Sequence, residues 1–502
     1  MKWLLILSLF VTPPPPSEKE LKALSYSLDP HSISKHFAFY NLYPQTEEGK
    51  KAKAKAWQLL TKHHPNPPPS PFDLNLPDLD FDRIIQLVNR APYQTKVDLS
   101  EKSLQTIEAL SSFLGNRQLK GYKALKQDQI LKLQSEEVDL ARALFLFEEH
   151  SPSDINTFEA QIDLMALQIL AHLNQEATPL EKVRAISHFI FFEQGFRFPP
   201  HSLYAEEIDL YTFLPSVLDS RQGVCLGVSI LYLALAQRLD LDLAIITPPG
   251  HIFLRLEEEK LNIETTARGI NPKDETYLGV NTRILQRRPI KEVVGLAFIN
   301  QAAALWQKER YEETLPLYQK AALFLEEDPL LTLLLGYNYI LLGKEDEGTT
   351  LLKKIAGKPF KDATTAETLP LDYLEKHIDK EGIQIIFSPV DDTIQSIEAK
   401  QKNLQSLLKK WPRFQEGWFH LAITYLQLSR LPEAYLALQS YHLLNDKNPT
   451  VEYYLTHLAL KRYDFPTAFH HFKRCEHLLN EQDHHPKMIE ALKQEIHRLY
   501  PN

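Results

Sequence analysis

The sequence predicts a mostly helical chain with a few strands near its centre and a repeat of helix pairs in its C-terminal third. Residues 226–239 are apolar almost all round, which is typical of a buried helix. The stretches 241–248 and 251–256 that follow have the character of strands. Apolar residues recur at helical spacing in 52–63 and 103–114, which indicates helices in the N-terminal region as well.

The length of 502 residues suggests about three domains of ordinary size. We expect, in chain order, a signal-peptide-like segment at 1–16, a mainly helical region at 17–150, a core domain at 151–295, a repeat pair at 296–357, an insertion or degenerate repeat at 358–410, and repeats with a capping helix at 411–502. A proline-rich break at 65–71 interrupts the N-terminal region.

Cys225 is the residue on which a functional prediction depends. It is one of only two cysteines, and it follows the turn Arg221-Gln222-Gly223-Val224 at the point where the apolar helix begins. The partial positive charge of a helix N-terminus and a neighbouring imidazolium both favour the thiolate, which is the reactive form of cysteine. The position therefore suits a nucleophile.

A histidine and a carboxylate follow on the two predicted strands. His251 starts the strand 251–256, and Glu264 lies in 261–266, which we interpret as the antiparallel return strand. A turn centred between Glu257 and Glu258 sets Glu264 directly opposite His251, and one centred between Glu258 and Glu259 sets it diagonally on the same face. Either register lets Glu264 orient the imidazole.

Two further residues are alternates for roles in this site. Asn262, on the same predicted face as Glu264, is the substitute for the third member of the triad. The Gln222 side chain and the Cys225 backbone N–H are candidate donors to an oxyanion.

The stretch from about 162 to 269 resembles the transglutaminase-like core of the SirB type, within the superfamily that shares the papain-like catalytic arrangement. The matching text is Phe192-Glu193-Gln194-Gly195-Phe196, then Phe213-Leu214-Pro215-Ser216-Val217-Leu218 with Arg221-Gln222-Gly223, then Leu231-Tyr232 with Ala236-Gln237-Arg238-Leu239, and Pro249-Gly250-His251. The resemblance implies an α+β fold in which the cysteine-bearing helix packs on an antiparallel sheet. It also places Cys225, His251 and Glu264 at the three catalytic positions.

The function that the resemblance implies is acyl transfer from a protein or peptide amide through a thioester, as a cysteine-dependent hydrolase or acyltransferase that needs no cofactor. The alternative is a non-catalytic scaffold in which the core has lost turnover and the repeats recruit a protein partner. A cysteine at a helix start is also a common small core residue, which is consistent with the alternative.

The C-terminal third contains a repeat that can be counted. Phe419, Leu421, Tyr425, Leu431, Pro432 and Ala434 recur 34 residues later as Tyr453, Leu455, Ala459, Phe465, Pro466 and Ala468. This is the period of tetratricopeptide helix pairs, and the segments 297–357 and 412–479 resemble such repeats. Between them we expect irregular chain and one helix around 394–408, and a helix at 486–500 caps the stack. The concave face of such a solenoid binds peptide or protein.

Composition narrows the range of partners. The net charge is −9 and no basic face or zinc-finger spacing is present, so we expect no nucleic acid. An apolar run at 3–11 after Lys2 predicts export, with membrane association only if the segment stays uncleaved. His471 and Cys475 share a helix face, but the paired spacings of zinc sites are absent and we predict solvated histidines and no metal.

Overall fold

The computed structural model describes residues 16–69, 81–200, 211–358, 360–363, 366–391 and 393–500. The segment that we interpret as signal-like lies outside these residues, apart from Pro16. Among the described residues, none of the helices combines the length and the apolar character that crossing a bilayer requires.

The helices of the first half are as follows: α1 Glu18–Tyr26, α2 Ile33–Leu42, α3 Glu47–Leu60, α4 Phe81–Val88, α5 Glu101–Ser111, α6 Gln127–Leu131, α7 Leu140–Phe147, α8 Pro152–Ala171, α9 Pro179–His188, α10 Leu214–Ser220 and α11 Cys225–Arg238. The predicted N-terminal helices at 52–63 and 103–114 correspond to α3 and α5. The buried helix predicted to follow Cys225 is α11. These predictions are confirmed.

The described chain forms two compact units. One contains the residues up to Arg117, Ser151–Ile186 and Arg238–Asp240, and the other contains the rest. In the first unit α8 is the central element, and helices α2 to α5 all contact it. Its Asp163 is fully buried and accepts a hydrogen bond from Arg238 Nε at 2.6 Å. Burial alone would raise the pKa of Asp163, but Arg238 and Arg117 outweigh it and hold that pKa below its usual value.

The second unit contains the antiparallel sheet, in the order β3-β2-β1-β4. The strands are β1 Ala244–Thr247, β2 Phe253–Leu256, β3 Leu261–Ile263 and β4 Gln286–Arg288. Leu256 pairs with Leu261, so the turn is centred between Glu258 and Glu259, the second of the two registers considered. The antiparallel sheet that the resemblance implied is confirmed.

The strands are shorter than the sequence predicts. Pro248 and Pro249 lack the N–H that a ladder needs, and Gly250 has a φ of +66°, so β2 starts only at Phe253. His251 therefore lies in a turn, where its N–H donates to the carbonyl of Pro248 at 3.0 Å, and not on a strand. The return strand ends at Ile263.

The helices of the C-terminal part are α12 Ile290–Gln307, α13 Tyr311–Ala322, α14 Pro329–Leu341, α15 Glu345–Ile355, α16 Leu369–Leu374, α17 Lys380–Phe387, α18 Ile394–Lys410, α19 Gln415–Gln427, α20 Leu431–Leu444, α21 Pro449–Lys461, α22 Phe465–Glu481 and α23 Lys487–Leu499. Helix α12 runs through position 295, where the sequence suggested the end of the core domain.

The predicted repeats are helix pairs in the structure. The four pairs α12 with α13, α14 with α15, α19 with α20, and α21 with α22 each pack closely together. Helices α19 and α21 begin at Gln415 and Pro449, 34 residues apart, and α20 and α22 keep the same step. The final helix α23 packs on α22, as the capping helix was expected to do. The described part of 358–410 contains three helices, so the expectation of one helix there was wrong.

Candidate active site

Cys225 begins helix α11 at a turn whose geometry leaves little freedom. The preceding helix α10 ends at Arg221, which adopts the left-handed conformation with a φ of 51°. The N–H of Val224 then donates to the carbonyl of Tyr211 at 2.9 Å. That carbonyl oxygen lies only 2.1 Å from the point that a Cβ on Gly227 would occupy. The first turn of the helix is therefore held against the chain around Tyr211, and Cys225 keeps a half-buried position.

His251 is hydrogen-bonded to Glu264. Its Nε2 lies 2.7 Å from Oε2 of Glu264, and the carboxylate is buried. The Cys225 side chain also interacts with this imidazole, and the interaction raises the pKa of His251. Because Nε2 faces Glu264, Nδ1 is the ring nitrogen left for the thiol. The structure thus brings together the three residues that the sequence singled out.

The charged form of His251 is strongly favoured. Burial opposes it, but the hydrogen bonds to Cys225 and Glu264 outweigh burial and raise the pKa of His251 from 6.5 to about 9. An imidazolium at neutral pH sits between a thiol and a carboxylate, and it stabilises negative charge on either one.

Glu264 is held ionised by several donors. Its carboxylate accepts hydrogen bonds from His251, from the N–H and hydroxyl of Thr266 at 3.1 and 2.6 Å, and from the hydroxyl of Tyr277. Burial would raise its pKa, but these bonds outweigh burial and lower the pKa of Glu264 to about 2. Glu264 is an acceptor throughout the neutral range.

Tyr277 is a member of the site that the sequence did not indicate. Its ring stacks on His251, with centroids 5.7 Å apart, and on Phe253 at 4.7 Å. Burial and the bond to the Glu264 carboxylate both raise the pKa of Tyr277, so the hydroxyl stays protonated and keeps donating. The residue lies in a stretch without periodicity, and no pattern in the sequence could have linked it to His251.

Thr265 connects the carboxylate loop to the nucleophile helix. Its hydroxyl lies 3.1 Å from the hydroxyl of Ser229, one turn into α11, and 3.3 Å from the carbonyl of Cys225. Glu264 and Thr265 are adjacent in the chain, so the acid and the nucleophile are held in one hydrogen-bonded frame. Strand β3 ends at Ile263 and a short 3-10 helix follows at Thr265–Ala267, which turns the Thr265 hydroxyl towards α11.

The two alternates lie elsewhere. The Asn262 side chain accepts from Arg255 Nε at 2.7 Å and donates to the carboxylate of Asp274 at 2.8 Å, so Glu264 holds His251 and Asn262 does not. Gln222 is buried in the turn before the helix, where its N–H donates to the hydroxyl of Ser220 at 3.1 Å. It is not among the described residues that line the cavity next to Cys225.

A cavity of about 300 Å³ opens beside Cys225 and His251. Its lining is mostly apolar and is contributed by α11, the loop after β1, β4, α12 and the segment 360–363. The lining residues are Cys225, Leu226, Thr247, Pro248, Pro249, Gly250, His251, Ile252, Gln286, Arg288, Leu296, Ile299, Asn300, Leu330, Phe360, Asp362 and Ala363.

Within the described residues, one group of metal-ligand type was found, and it lies in the repeats. His442 Nδ1 and His471 Nδ1 each approach a different oxygen of buried Glu452 at 2.7 Å. Arg474 Nε also lies 3.4 Å from that carboxylate, so a cation of the protein already offsets its charge. His471 is buried, so the expectation of a solvated histidine there was wrong. Its Nδ1 is hydrogen-bonded to Glu452, and this bond offsets the cost of removing the ring from water. Cys475 is buried as well, and its Sγ donates to the carbonyl of Pro449.

Comparison with known proteins agrees with the core geometry. Residues 156–282 match the family model described as the transglutaminase-like superfamily. This segment is a transglutaminase-like domain. Cys225, His251 and Glu264 all lie inside it. Among curated proteins, none matched the chain.

Solved structures that are similar to the chain include three helical proteins. MamA from Desulfovibrio magneticus RS-1 has 17% identity over 38% of this chain and 97% of its own, with a TM-score of 0.20. TTC0263, a TPR protein of Thermus thermophilus, has 16% identity over 41% of this chain and 98% of its own, with a TM-score of 0.20. The TPR2AB domain of yeast Sti1 has 15% identity over 41% of this chain and 84% of its own, again with a TM-score of 0.20. These TM-scores are low, and the repeats are identified by their own 34-residue period.

Proposed function

We propose that this protein is a cysteine-dependent acyl-transfer enzyme acting on amides of peptides or proteins. Cys225 is the nucleophile, His251 the general acid and base, and Glu264 the residue that orients His251. One observation carries the proposal: His251 is hydrogen-bonded to the buried Glu264 carboxylate at 2.7 Å, and it lines the same cavity as Cys225.

The chemistry follows from these positions. The thiolate sulfur of Cys225 attacks the carbonyl carbon and forms a C–S bond, and negative charge develops on the carbonyl oxygen. The N–H groups of the first turn of α11 have no intrahelical partners, and that of Cys225 is the donor that we propose for this oxygen. The C–N bond then breaks, and His251 gives its proton to the leaving amine.

The second half of the reaction returns the enzyme to its starting state. Water or an amine attacks the thioester, and His251 takes the proton of the attacking group. The C–S bond breaks, the acid or the new amide leaves, and the sulfur pairs again with the imidazolium. Glu264 stays ionised throughout, because its pKa is about 2. The helical repeats supply the surface that binds the protein carrying the amide.

The test is the pH dependence of Cys225 alkylation by iodoacetamide, followed by mass spectrometry in the full chain and in His251→Ala. Cys475 is the internal control, since burial raises its pKa to about 12 and its reactivity should be negligible. We expect Cys225 to react rapidly well below pH 8.5, the ordinary pKa of a free thiol being about that value.

In His251→Ala the reaction below pH 8.5 should slow, because no cation faces the sulfur. If wild-type Cys225 reacts no faster than a free thiol, the nucleophile assignment fails. The non-catalytic scaffold then becomes the better explanation of the chain.

A further inference from the structure

The cavity next to Cys225 is bounded by the first repeats as well as by the transglutaminase-like domain. Leu296, Ile299 and Asn300 come from α12, the first helix of the first pair, and Leu330 comes from the first turn of α14. The spacings of three and four residues place the α12 side chains on one face of the helix. A face of the repeat module therefore forms part of the wall of the candidate active site.

The apolar side chains of this wall are incompletely covered. Leu296 and Ile299 are half-buried, although most other apolar residues of α12 are fully buried. Leu330 keeps 45% of its surface exposed. When a substrate group removes these apolar side chains from water, the free energy of the complex is lowered, which favours binding beside the nucleophile.

The polar groups of the lining already have partners. Arg288 donates to Glu292 and to Asp328, each at 2.8 Å, so its cation is compensated by two carboxylates. Asn300 Nδ2 donates to the hydroxyl of Thr212 at 3.3 Å. His251, the other cation of the lining, is paired with the Glu264 carboxylate at 2.7 Å. With Asp362 also in the lining, the described lining residues leave no uncompensated positive charge to attract an anionic group.

We propose that this cavity receives a bulky apolar side chain of the acyl donor, and that α12 and α14 of the repeats select it. The proposal rests on the proposed function of Cys225. A volume of about 300 Å³ is at the small end of ligand pockets and is large enough to admit one aliphatic or aromatic side chain. The substrates are then amides with such a residue on the acyl side of the bond, and acidic residues there are rejected.

The test uses peptidyl fluoromethyl ketones that differ in one side chain: glycine, leucine, phenylalanine, glutamine, lysine or glutamate. The thiolate displaces fluoride, so a C–S bond forms as the C–F bond breaks, and the rate constant for labelling Cys225 is read by mass spectrometry. We expect leucine and phenylalanine to exceed glycine by about 10-fold or more, since burying such a side chain supplies that selectivity. The glutamate probe should be the slowest.

Variants test the role of the repeat helix. Ile299→Trp and Leu296→Trp fill the cavity from α12 and should reduce the ratio of leucine to glycine rates towards one. Leu305→Trp is the matched control, because Leu305 is a half-buried leucine of the same helix outside the lining. It should leave the ratio unchanged.

Iodoacetamide separates the two possible failures, because it is too small to report on the cavity. If iodoacetamide reacts rapidly with Cys225 but the probes react equally, or the lysine or glutamine probe is fastest, the specificity proposal is wrong and the proposed function stands. If iodoacetamide itself reacts no faster than with a free thiol, the proposed function fails and the specificity proposal falls with it. The wild-type panel decides the matter even if a tryptophan variant does not fold.

Discussion

Replacing Tyr277 by phenylalanine removes one donor from the Glu264 carboxylate and keeps the ring that stacks on His251. The lost bond has a charged acceptor, and such bonds contribute about 1.5 to 3 kcal/mol. We therefore expect the free energy of unfolding at pH 7 to fall by roughly 1.5 kcal/mol or more. Because the bond favours the carboxylate over the carboxylic acid, the pKa of Glu264, followed by NMR of its side-chain carboxyl carbon, should also rise by about one unit or more.

The sign of the pH dependence gives a second readout. The pKa of Glu264 is lowered to about 2 from an ordinary 4.5, so its stabilisation is present above pH 4.5 and is lost as pH falls towards 2. The stability difference between wild type and Tyr277→Phe, measured by urea denaturation, should shrink over that interval.

Tyr311→Phe is the control, since it removes the hydroxyl of a half-buried tyrosine in the repeats, next to the neutral side chain of Gln384. It should leave the pKa of Glu264 unchanged. If Tyr277→Phe matches wild type in both stability and the pKa of Glu264, the tyrosine does not support the carboxylate and the reasoning is refuted.

Three further outcomes follow from buried charge and close packing. Asp163→Asn should cost about 3 to 5 kcal/mol in urea denaturation, because fully buried Arg238 loses its counter-charge. Glu108→Gln is the control, since the carboxylate that pairs with Arg117 there is exposed, and it should cost under about 1 kcal/mol. Equal costs would contradict this account. Gly227→Ala should lower stability by at least about 1 to 3 kcal/mol, because the new methyl meets the Tyr211 carbonyl, and an unchanged melting temperature would show that the turn can relax. The pKa of His251 is raised to about 9, so its contribution to stability is fully present below pH 6.5 and is lost as pH rises through 9. Over this interval the free energy of unfolding of wild type should fall by up to about 3 kcal/mol more than that of His251→Gln. Parallel curves of unfolding free energy against pH from about 6 to 10 would argue against the ion pair.

The sequence predicted best the elements that follow from a regular pattern of apolar residues. An apolar helix beginning at Cys225 and a 34-residue period both follow from burial patterns, and both are present in the structure. The register between the two strands was narrowed to two possibilities and not one, because residues 257–260 are all charged and contain none of the residues that fix a turn. The structure uses a turn in which Lys260 adopts a φ of 49°.

The parts that the sequence did not indicate depend on contacts between distant residues. Strand β4 consists of Gln286, Arg287 and Arg288, which no strand pattern favours, and Arg288 is buried only because carboxylates from two helices reach it. Tyr277 joins the site through the connection between β3 and β4. The short helices α16 and α17 have too few turns for a reliable apolar period.

The contacts of Arg288 determine whether the transglutaminase-like domain can be separated from the helical repeats. Its guanidinium contacts Thr247 on β1, Gln286 on β4, Glu292 in the first turn of α12, and Asp328, the residue that caps α14. A fragment that stops before Asp328 keeps the buried cation but loses one of the two carboxylates that neutralise it. A fragment that keeps both carboxylates must therefore extend past the transglutaminase-like domain and include the first helix pair and Asp328. Recombination at the domain boundary would yield a core whose cavity lacks the lining residues of α12 and α14.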